Sequence, residues 1–418
     1  MKAEIITIGD ELLIGQVIDT NSAWIAQKLN LIGIKIHRIN SISDNREEIL
    51  STLNESEQRV DLIIITGGLG PTNDDITKKT LCEYFKTKLV ANEIVLDDIR
   101  NLLNHRKINV NKLNQGQADV PENCKIIRNF NGTAPGMWFE KGKKVFISLP
   151  GVPFEMKGMI EKEILQKLTN HFNTQTIYHK TVLTQGIAES ILSEKLTMWE
   201  NALSEKGLKL AYLPQPGIVR LRLSAEGDNV NFLEEIVKNE IEKLKQIIPE
   251  YIFGYDNQKL EEIIGELLKE KNNTLAVAES CTGGNIAHLI TSVPGSSEYF
   301  KGSIVAYSNE IKINILNVEE SNIENYGAVS KKVVEQMAKS VIKLFNVDFS
   351  IATSGIAGPS GGTKDKPVGT TWIAVASKNE IISDCFIFGD NRERNITRAS
   401  VTALNLLRKL IIKQIKNK

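Results

Sequence analysis

The chain has 418 residues, of which 41% are hydrophobic and 24% charged. These are ordinary values for a globular protein, and the length is too great for a single core, so we expect two or three domains. Lys plus Arg and Asp plus Glu both total 51, which excludes attraction to nucleic acid or to an anionic membrane through net charge.

The first 170 residues alternate strand-like and helix-like patterns. AEIITIG, IKIHRINSI, DLIIITGG and FISLPG have the apolar runs of buried strands, and helical spacing occupies residues 22–31 and 45–58. Strands separated by helices predict a parallel sheet covered on both faces. We therefore assign residues 1–170 to an α/β domain with a parallel sheet.

The pattern changes near residue 170. Residues 171–252 combine two alternating strands, YHKTVLTQ and GIVRLRLSAEG, with one amphipathic helix, which predicts a small α+β domain. From residue 253 to 418 an α/β pattern returns, with TLAVA, SIVAY, FSIATSG and TTWIAVAS as strands and a final helix from Ile396 to Ile415.

The stretch ITGGLGPTNDDIT, residues 65–77, follows a predicted strand. Its glycines allow close approach of a ligand, and we predict that Thr72 to Asp75 open a helix whose N–H groups suit a phosphate. Asp74 and Asp75 would repel a phosphate unless a divalent cation lies between them. The alternative is that these aspartates only cap the helix. The stretch is neither a Walker loop nor G-x-G-x-x-G.

A second candidate site is AESCTGG, residues 278–284, where a strand meets a helix. Ser280 and Cys281 are both possible nucleophiles, and N–H groups at the helix start can stabilise an oxyanion. A Ser-His-Asp triad is excluded because His288, the one histidine of this domain, lies two turns along the helix. A neutral lysine can serve as base, and Lys312 is a candidate, although a surface lysine is the alternative. Cys281 has no histidine to activate it and is predicted to pack.

A glycine-rich loop, SGIAGPSGGTKDKPVGTTW, follows the predicted strand FSIATSG. It can wrap a phosphate with backbone donors, or it can be a flexible surface loop. Downstream, Arg392, Arg394 and Arg398 offer guanidinium groups that can hold a phosphate in a bidentate way.

The first part resembles the molybdopterin-binding fold of the MoaB, MogA and MoeA type, and more closely the N-terminal domain of the CinA (competence/damage-inducible) family. GDELLIGQVIDTNSAWIAQKL, GGLGPTNDDIT, NGTAPGMW and LPGVPFEMKGM carry the resemblance. It implies hydrolysis of the pyrophosphate of ADP-ribose with a divalent cation (Mg²⁺, Mn²⁺ or Co²⁺), and Asp75 as a metal ligand. The implied ligand-facing residues are Asp10, Glu11, Gly67, Gly68, Gly70, Thr72, Asp74, Asp75, Gly151, Pro153 and Glu155.

The last part, from about residue 255, resembles the CinA C-terminal domain, which also occurs alone as nicotinamide mononucleotide (NMN) amidohydrolase. AESCTGG, VAYSNEIK and the glycine-rich loop carry this resemblance. It implies Ser280 as nucleophile, Lys312 as general base and Tyr307 as assistant, with no cofactor. The implied substrate-binding residues are Thr282, Gly283, Gly355, Gly358, Gly361, Gly362, Arg392 and Arg394. Asn391 departs from the family pattern as an apparent insertion, which leaves open which arginine binds the phosphate.

Residues 171–252 resemble the KH-like linker of the same family through GIAES and PQPGIVRLRL. They lack the GXXG loop with which KH domains bind RNA, and they hold 9 Lys/Arg against 11 Asp/Glu. We expect a spacer or dimerisation element, a homodimer and no nucleic-acid partner. The alternatives to two activities on NMN and ADP-ribose are one retained activity, or a competence or DNA-damage accessory that acts by binding partners.

The spacing of the cysteines indicates a reducing compartment. Cys82, Cys124, Cys281 and Cys385 are scattered without a C-x-x-C pair, which argues against a disulfide framework or a zinc site. The start has no signal-peptide pattern and no stretch can span a bilayer. We expect a soluble cytoplasmic protein without membrane contact.

Overall fold

The computed structural model describes residues 1–72, 75–105, 107–109 and 111–416. The chain divides into two compact units. One comprises residues 1–178 with 225–234, and the other comprises residues 179–224 with 235–418.

The N-terminal domain is built from short strands and helices in alternation. Its strands are β1 Lys2–Ile8, β2 Lys35–Ile42, β3 Leu62–Thr66, β4 Leu89–Ala91, β5 Asp119–Pro121, β6 Lys125–Ile127, β7 Gly136–Lys141 and β8 Lys144–Leu149. Its helices are α1 Asp10–Leu13, α2 Thr20–Leu31, α3 Arg46–Arg59, α4 Thr77–Tyr84, α5 Glu93–His105, α6 Lys112–Gly116, α7 Pro153–Met159 and α8 Leu165–Phe172, with one π-helical turn at Ile160–Ile164.

Six of these strands form one sheet in the order β2-β1-β3-β8-β7-β6. Strands β2, β1, β3 and β8 are parallel, as predicted. Of these, β1, β3 and β8 bury side chains on both faces, as Ile64 packs in one apolar cluster and Ile63 in another, whereas β2 is largely exposed. Two further strands, β7 and β6, which the sequence patterns did not predict, extend this sheet at one edge and run antiparallel. The connection from β7 to β8 is a tight turn, which can join only antiparallel strands.

The middle domain has one four-stranded sheet in the order β10-β11-β9-β12. Its elements are β9 Thr176–Gln185, α9 Glu189–Glu205, β10 Lys209–Gln215, β11 Ile218–Gly227, α10 Val230–Ile247 and β12 Ile252–Tyr255. Both strands and the helix expected from the sequence are present. The additional helix α9 buries Leu192, Leu196, Trp199 and Leu203 along one face.

The C-terminal domain holds a five-stranded sheet in the order β14-β13-β15-β16-β17. Its strands are β13 Leu275–Glu279, β14 Phe300–Val305, β15 Phe349–Gly355, β16 Thr370–Ser377 and β17 Ile381–Ile387. Its helices are α11 Leu260–Glu270, α12 Asn285–Thr291, α13 Asn309–Asn314, α14 Glu320–Tyr326, α15 Lys331–Phe345 and α16 Arg392–Lys416, with a 3₁₀ turn at Ser296–Glu298.

Strand β13 lies between β14 and β15, parallel to both. Because the carboxyl ends of parallel strands meet at one edge of a sheet, the segments that follow these three strands converge there. Helix α16 begins at Arg392, four residues earlier than predicted, because the Asn391 side chain accepts a hydrogen bond from the Arg394 N–H (2.9 Å). In the described part of the chain, no helix has the length and hydrophobicity to cross a membrane.

Candidate functional site

The turn that follows β13 presents Ser280. The Ser280 N–H donates to the Thr353 carbonyl on β15 (3.0 Å), and the hydroxyls of Thr282 and Thr353 are 2.8 Å apart. Gly283 and Gly284 adopt φ values of +61° and +98°, which favour glycine. Ser280 is 8% exposed, and its hydroxyl has no hydrogen-bond partner among the described residues. The turn is therefore held against β15 while the serine oxygen remains unengaged.

A buried carboxylate, which the sequence reasoning missed, lies directly before this serine. Glu279 is 0% exposed and accepts hydrogen bonds from the N–H groups of Gly284 (3.0 Å), Ile286 (3.1 Å) and Ala287 (2.9 Å). The donors at the start of α12 that we expected to stabilise an oxyanion are thus occupied, which corrects that expectation. Within the described residues, the N–H groups of Cys281 and Thr282 have no acceptor. The sequence feature that could have indicated this role is a charged residue directly after the apolar strand TLAVA.

Lys312 on α13 is buried, so the surface-lysine alternative is wrong. Its side chain is 2% exposed, and its Nζ donates to the Ala306 carbonyl (2.8 Å). Burial lowers the pKa of Lys312 below the ordinary lysine value, and the nearby Cys281 thiol opposes this shift. No hydrogen bond joins Lys312 to Ser280 among the described residues, so the serine–lysine pairing stays a prediction.

Cys281 is packed next to the same lysine. It is 7% exposed, and burial raises the pKa of its thiol to about 11, while hydrogen bonds with Thr371 and Thr353 act in the opposite direction. A thiol with this pKa stays protonated at neutral pH and is a poor nucleophile. The environment supports the expectation that Cys281 packs rather than attacks.

Arg392, at the start of α16, connects two other predicted site residues. Its guanidinium donates to the Tyr307 hydroxyl (2.9 Å) and to the Gly358 carbonyl (2.8 Å). Arg398 donates to the Phe388 carbonyl (2.6 Å), and the exposed Arg394 side chain makes no hydrogen bond or ion pair with the described residues. Of these three arginines, Arg392 is the one whose described contacts reach the glycine-rich loop.

The glycine-rich loop is held at its two ends by the hydrogen bonds between Ile356 and residues 369–370, whereas residues 359–365 in its middle are exposed, so the phosphate loop and the flexible surface loop both stay predictions. Gly358 and Gly361 both have φ of +90°, and a Cβ at Gly362 would lie 2.6 Å from the Val368 nitrogen. Asn395 on α16 is 2% exposed and donates to the carbonyls of Ala357 (3.0 Å) and Gly389 (2.9 Å). The remaining predicted glycine, Gly355, ends β15. Sequence reasoning missed Asn395 because its partners are backbone carbonyls distant in the chain.

In the N-terminal domain, the ends of β3 and β8 approach closely. The Gly67 N–H donates to the Leu149 carbonyl (3.1 Å), and a Cβ at Gly151 would lie 3.5 Å from the Gly67 Cα. Gly67 has φ of +116°, and a Cβ there would lie 2.1 Å from the Ile8 carbonyl oxygen. Glycine is therefore required where the carboxyl ends of the parallel strands converge, the usual ligand crevice of such sheets.

Asp75 closes the glycine loop instead of opening a helix. Its carboxylate accepts hydrogen bonds from the N–H groups of Gly70 (2.7 Å) and Thr72 (2.9 Å). Helix α4 begins at Thr77 and has no side-chain cap. Asp75 therefore neither opens this helix, as predicted, nor caps it, as the alternative had it. Asp74 lies outside the described residues.

Asp44, which follows β2, was missed by the sequence reasoning. Burial raises the pKa of its carboxyl, and the charges of Asp10, Glu11 and Asp75 raise it further, against a lowering hydrogen bond from the Asp10 backbone. The polar run SISDN after a predicted strand was the available signal. Four carboxyl groups thus interact at this edge of the sheet.

These carboxylates are hard oxygen donors, the kind that Mg²⁺ and related cations prefer. However, no three Asp, Glu, His or Cys side chains in the described part of the chain are arranged to hold a metal ion together. These carboxylates are therefore suitable ligands for a divalent cation, and the arrangement suits a cation that a substrate phosphate also coordinates. Asp44 and Asp75 are the residues that would contact it.

Pro153 and Glu155 lie on α7. The Glu155 carboxylate accepts a hydrogen bond from the Asn129 side chain (2.7 Å), and a Cβ at Gly132 would lie 2.0 Å from its carboxyl carbon. Glu155 therefore packs against the loop NGTAPG, one of the motifs singled out in the sequence.

Three buried polar atoms around the N-terminal glycine loop have no hydrogen-bond partner within the described residues: Asn21 Oδ1, Thr77 Oγ1 and Gln117 Oε1. Asn21 donates through its other amide atom to the Gly151 carbonyl (2.6 Å), and Gln117 donates to the Leu69 carbonyl (3.2 Å). Such atoms are normally satisfied by water or a ligand, since leaving one unpaired costs about 1–3 kcal/mol.

The fold defines a three-domain α/β protein with a candidate site at the strand ends of each outer domain. Residues 4–170 match the family model of a probable molybdopterin binding domain, residues 179–254 that of the damage-inducible protein CinA KH domain, and residues 257–411 that of the CinA C-terminal domain. The chain belongs to the CinA family, and the predicted three-domain fold is confirmed.

Its relatives match along nearly the whole length. The CinA-like protein of Flavobacterium psychrophilum is 50% identical over 415 residues, covering 99% of each chain. A putative competence-damage inducible protein of Caldicellulosiruptor saccharolyticus is 42% identical over 412 residues, covering 99% of this chain and all of that one. A solved structure of competence/damage inducible protein CihA from Agrobacterium tumefaciens is 33% identical and covers 36% of this chain and 93% of that chain, with a TM-score of 0.36.

Proposed function

We propose that the C-terminal domain is a hydrolase that deamidates NMN, releasing ammonia and nicotinate mononucleotide. The observation that carries the proposal is the buried Lys312, with a lowered pKa, in a site where Ser280 is held on a rigid turn with a free hydroxyl. A desolvated lysine can accept a proton that an exposed lysine cannot, and this is the means by which serine–lysine enzymes activate their nucleophile.

In the proposed mechanism, Ser280 Oγ attacks the carboxamide carbon and its proton passes to Lys312 Nζ. The unengaged N–H groups of Cys281 and Thr282 stabilise the oxyanion. Lys312 then protonates the leaving amine, so ammonia departs and an acyl-serine remains. Water, deprotonated by Lys312, hydrolyses this ester and regenerates Ser280. The electron-withdrawing pyridinium makes the carbonyl carbon reactive enough for a modestly activated serine.

The resting geometry is compatible with this scheme, since catalytic hydrogen bonds are often long or absent before substrate binds. We assign the NMN phosphate to the loop 358–362 and to Arg392. Arg392 already contacts this loop, and a guanidinium pairs well with phosphate oxygens. Tyr307, held by Arg392, would flank the substrate.

We also propose that the N-terminal domain hydrolyses the pyrophosphate of ADP-ribose. The specific observation that favours it is the group of four carboxyls, Asp10, Glu11, Asp44 and Asp75, beside a glycine loop with unpaired polar atoms. A divalent cation, when bound, would neutralise phosphate charge and lower the pKa of a bound water. Asp44 and Asp75 would hold it, and the backbone of the glycine loop would position the pyrophosphate.

Two assays on the full chain test these proposals. Ammonia release from NMN is measured for the wild type, Ser280→Ala and Asp75→Asn; AMP release from ADP-ribose is measured for the same three proteins with EDTA or with Mg²⁺, Mn²⁺ or Co²⁺. We expect Ser280→Ala to lose the first activity alone and Asp75→Asn the second alone, each variant serving as control for the other. Asp75→Asn with unchanged AMP release at saturating metal contradicts the N-terminal assignment.

We further propose that the protein acts in the cytoplasm as a homodimer, with small-molecule substrates rather than nucleic acid. If one activity is absent, the single-activity alternative is the correct one. If neither substrate turns over, a competence or damage-related role through partner binding, in keeping with the names of its relatives, replaces both. Light scattering coupled to size-exclusion chromatography measures the mass, and a monomer would exclude the dimer.

A further inference from the structure

Glu279 is a fully buried charged residue for which the proposed mechanism has no chemical role. It ends β13 and immediately precedes Ser280. A buried carboxylate is costly unless it is well hydrogen bonded. Three backbone N–H groups, those of Gly284, Ile286 and Ala287, supply these bonds at 3.0, 3.1 and 2.9 Å.

These bonds join the residue before the turn from Ser280 to Gly284 to the residues at its end. The turn is fastened at its start by the bond from the Ser280 N–H to Thr353, and at its end by the bonds to Glu279. Glu279 accepts hydrogen bonds from the N–H groups at the start of α12. Within the described residues, the N–H groups of Cys281 and Thr282 are the donors of this segment that remain without an acceptor. The position of these two donors relative to the serine oxygen thus depends on Glu279.

We propose that Glu279 is the positioning residue of the C-terminal site, setting the geometry of the Ser280 hydroxyl and the oxyanion donors. The inference rests on the proposed deamidase function. Glutamine at this position has one acceptor oxygen, and its NH₂ group would face an N–H donor, so at least one of the three bonds is lost. The turn then relaxes, and displacements on the order of 1 Å are enough to reduce catalysis about 100-fold.

The experiment uses the full chain as wild type, Glu279→Gln, Glu279→Asp and a control, Ser330→Ala. Ser330 caps α15 by accepting a hydrogen bond from the Val333 N–H, so its loss removes a helix cap in the same domain without removing a group that the proposed mechanism uses. With NMN, we expect Glu279→Gln to lower kcat on the order of 100-fold while KM changes by less than about threefold. The thermal midpoints should fall in both Glu279→Gln and Ser330→Ala, but only the former should lose kcat.

A second readout does not need NMN. The rate at which a fluorophosphonate modifies Ser280, followed by mass spectrometry, reports the reactivity of the serine itself. We expect Glu279→Gln to be labelled at least about 10-fold more slowly than the wild type, and Ser330→Ala at the wild-type rate. If the wild type is labelled but does not hydrolyse NMN, the proposed substrate is wrong, and slower labelling of Glu279→Gln still supports the positioning role.

Several results would overturn the inference. Unchanged kcat and labelling in Glu279→Gln would do so, as would losses no larger than those of Ser330→Ala, a rise in KM alone, or a wild type that neither hydrolyses NMN nor is labelled. If Glu279→Gln does not fold, Glu279→Asp carries the same comparison, because it keeps the charge while its shorter side chain cannot reach all three donors. It too should lose kcat and labelling rate.

Discussion

Arg392 and Tyr307 are 85 positions apart in the chain, yet an Arg392 nitrogen lies 2.9 Å from the Tyr307 hydroxyl. The same guanidinium contacts the Gly358 carbonyl at 2.8 Å. One arginine therefore joins the segment after β14, the glycine-rich loop after β15 and the start of α16. It is the side chain best placed among the three candidate arginines to meet a phosphate.

Replacing Arg392 with alanine should weaken substrate binding. We expect the KM for NMN to rise at least about 10-fold, because a charge-assisted contact to phosphate is worth about 1.5–3 kcal/mol. Arg392→Lys should recover only part of the loss, since lysine cannot bridge Tyr307 and the loop. Steady-state ammonia release measures both. Lys413→Ala, which removes a surface ion pair from the same helix, is the control; an unchanged KM in Arg392→Ala would remove Arg392 from the site.

The deamidase rate should rise with pH through the pKa of Lys312. The base form is the neutral amine, and burial lowers this pKa, so kcat/KM should reach its plateau below the ordinary lysine pKa of about 10.4. Lys312→Arg should abolish the activity at every pH, because a guanidinium stays protonated. Lys332→Arg, on α15, is the matched control. A rate that falls over this range, or an active Lys312→Arg, contradicts the base assignment.

Cys281 should resist alkylation at neutral pH. Burial raises the pKa of its thiol to about 11, whereas Cys385 is exposed, so iodoacetamide followed by mass spectrometry should modify Cys385 first. Cys281→Ala should retain ammonia release within about 10-fold of the wild type, its loss being one of packing. Loss of activity in Cys281→Ala but not in Ser280→Ala would reverse the roles of the two residues.

Arg59 and Glu4 form a buried contact in the N-terminal domain. Glu4 is 0% exposed, and Arg59 donates to it at 2.9 and 3.1 Å. Burial alone would raise the pKa of Glu4, but the hydrogen bonds from Arg59 and Ser56 leave it lowered. Arg59→Ala removes the cation that faces this buried carboxylate and leaves Ser56 as its hydrogen-bond donor, so we expect the thermal midpoint of the domain at pH 7 to fall by roughly 5 to 10 °C.

The pH dependence of this loss has a definite sign. Since the folded pKa of Glu4 is lowered, its stabilisation is complete above the unfolded value of about 4.3 and disappears as the pH falls through the folded pKa. The difference between wild type and Arg59→Ala in calorimetry should therefore shrink below about pH 4. The control is Arg46→Ala, on the same helix as Arg59, which removes an exposed ion pair with Glu83 of α4 and should change the thermal midpoint little. A gap that widens in acid would refute the assignment.

The sequence by itself determined the domain types and the chemistry-bearing segments. Hydrophobic periodicity located β1, β3, β13 and β15, because strands buried on both faces read as continuous apolar runs. The glycines after β3 and β15 indicated the loops where the backbone takes positive φ or approaches closely. Ser280 and Lys312 were named from these local patterns and from the family resemblance.

Only the tertiary structure decided which polar groups meet. The antiparallel direction of β7 was missed since its turn to β8, not its composition, sets that direction. Glu279, Asp44 and Asn395 gave weak local signals because their roles depend on donors, charges and carbonyls brought near by folding. Burial likewise showed that Lys312 is not a surface lysine and that the environment of Cys281 is not that of a reactive thiol. Desolvation depends on the residues that pack around a side chain, so the identity of that residue in the sequence does not reveal it.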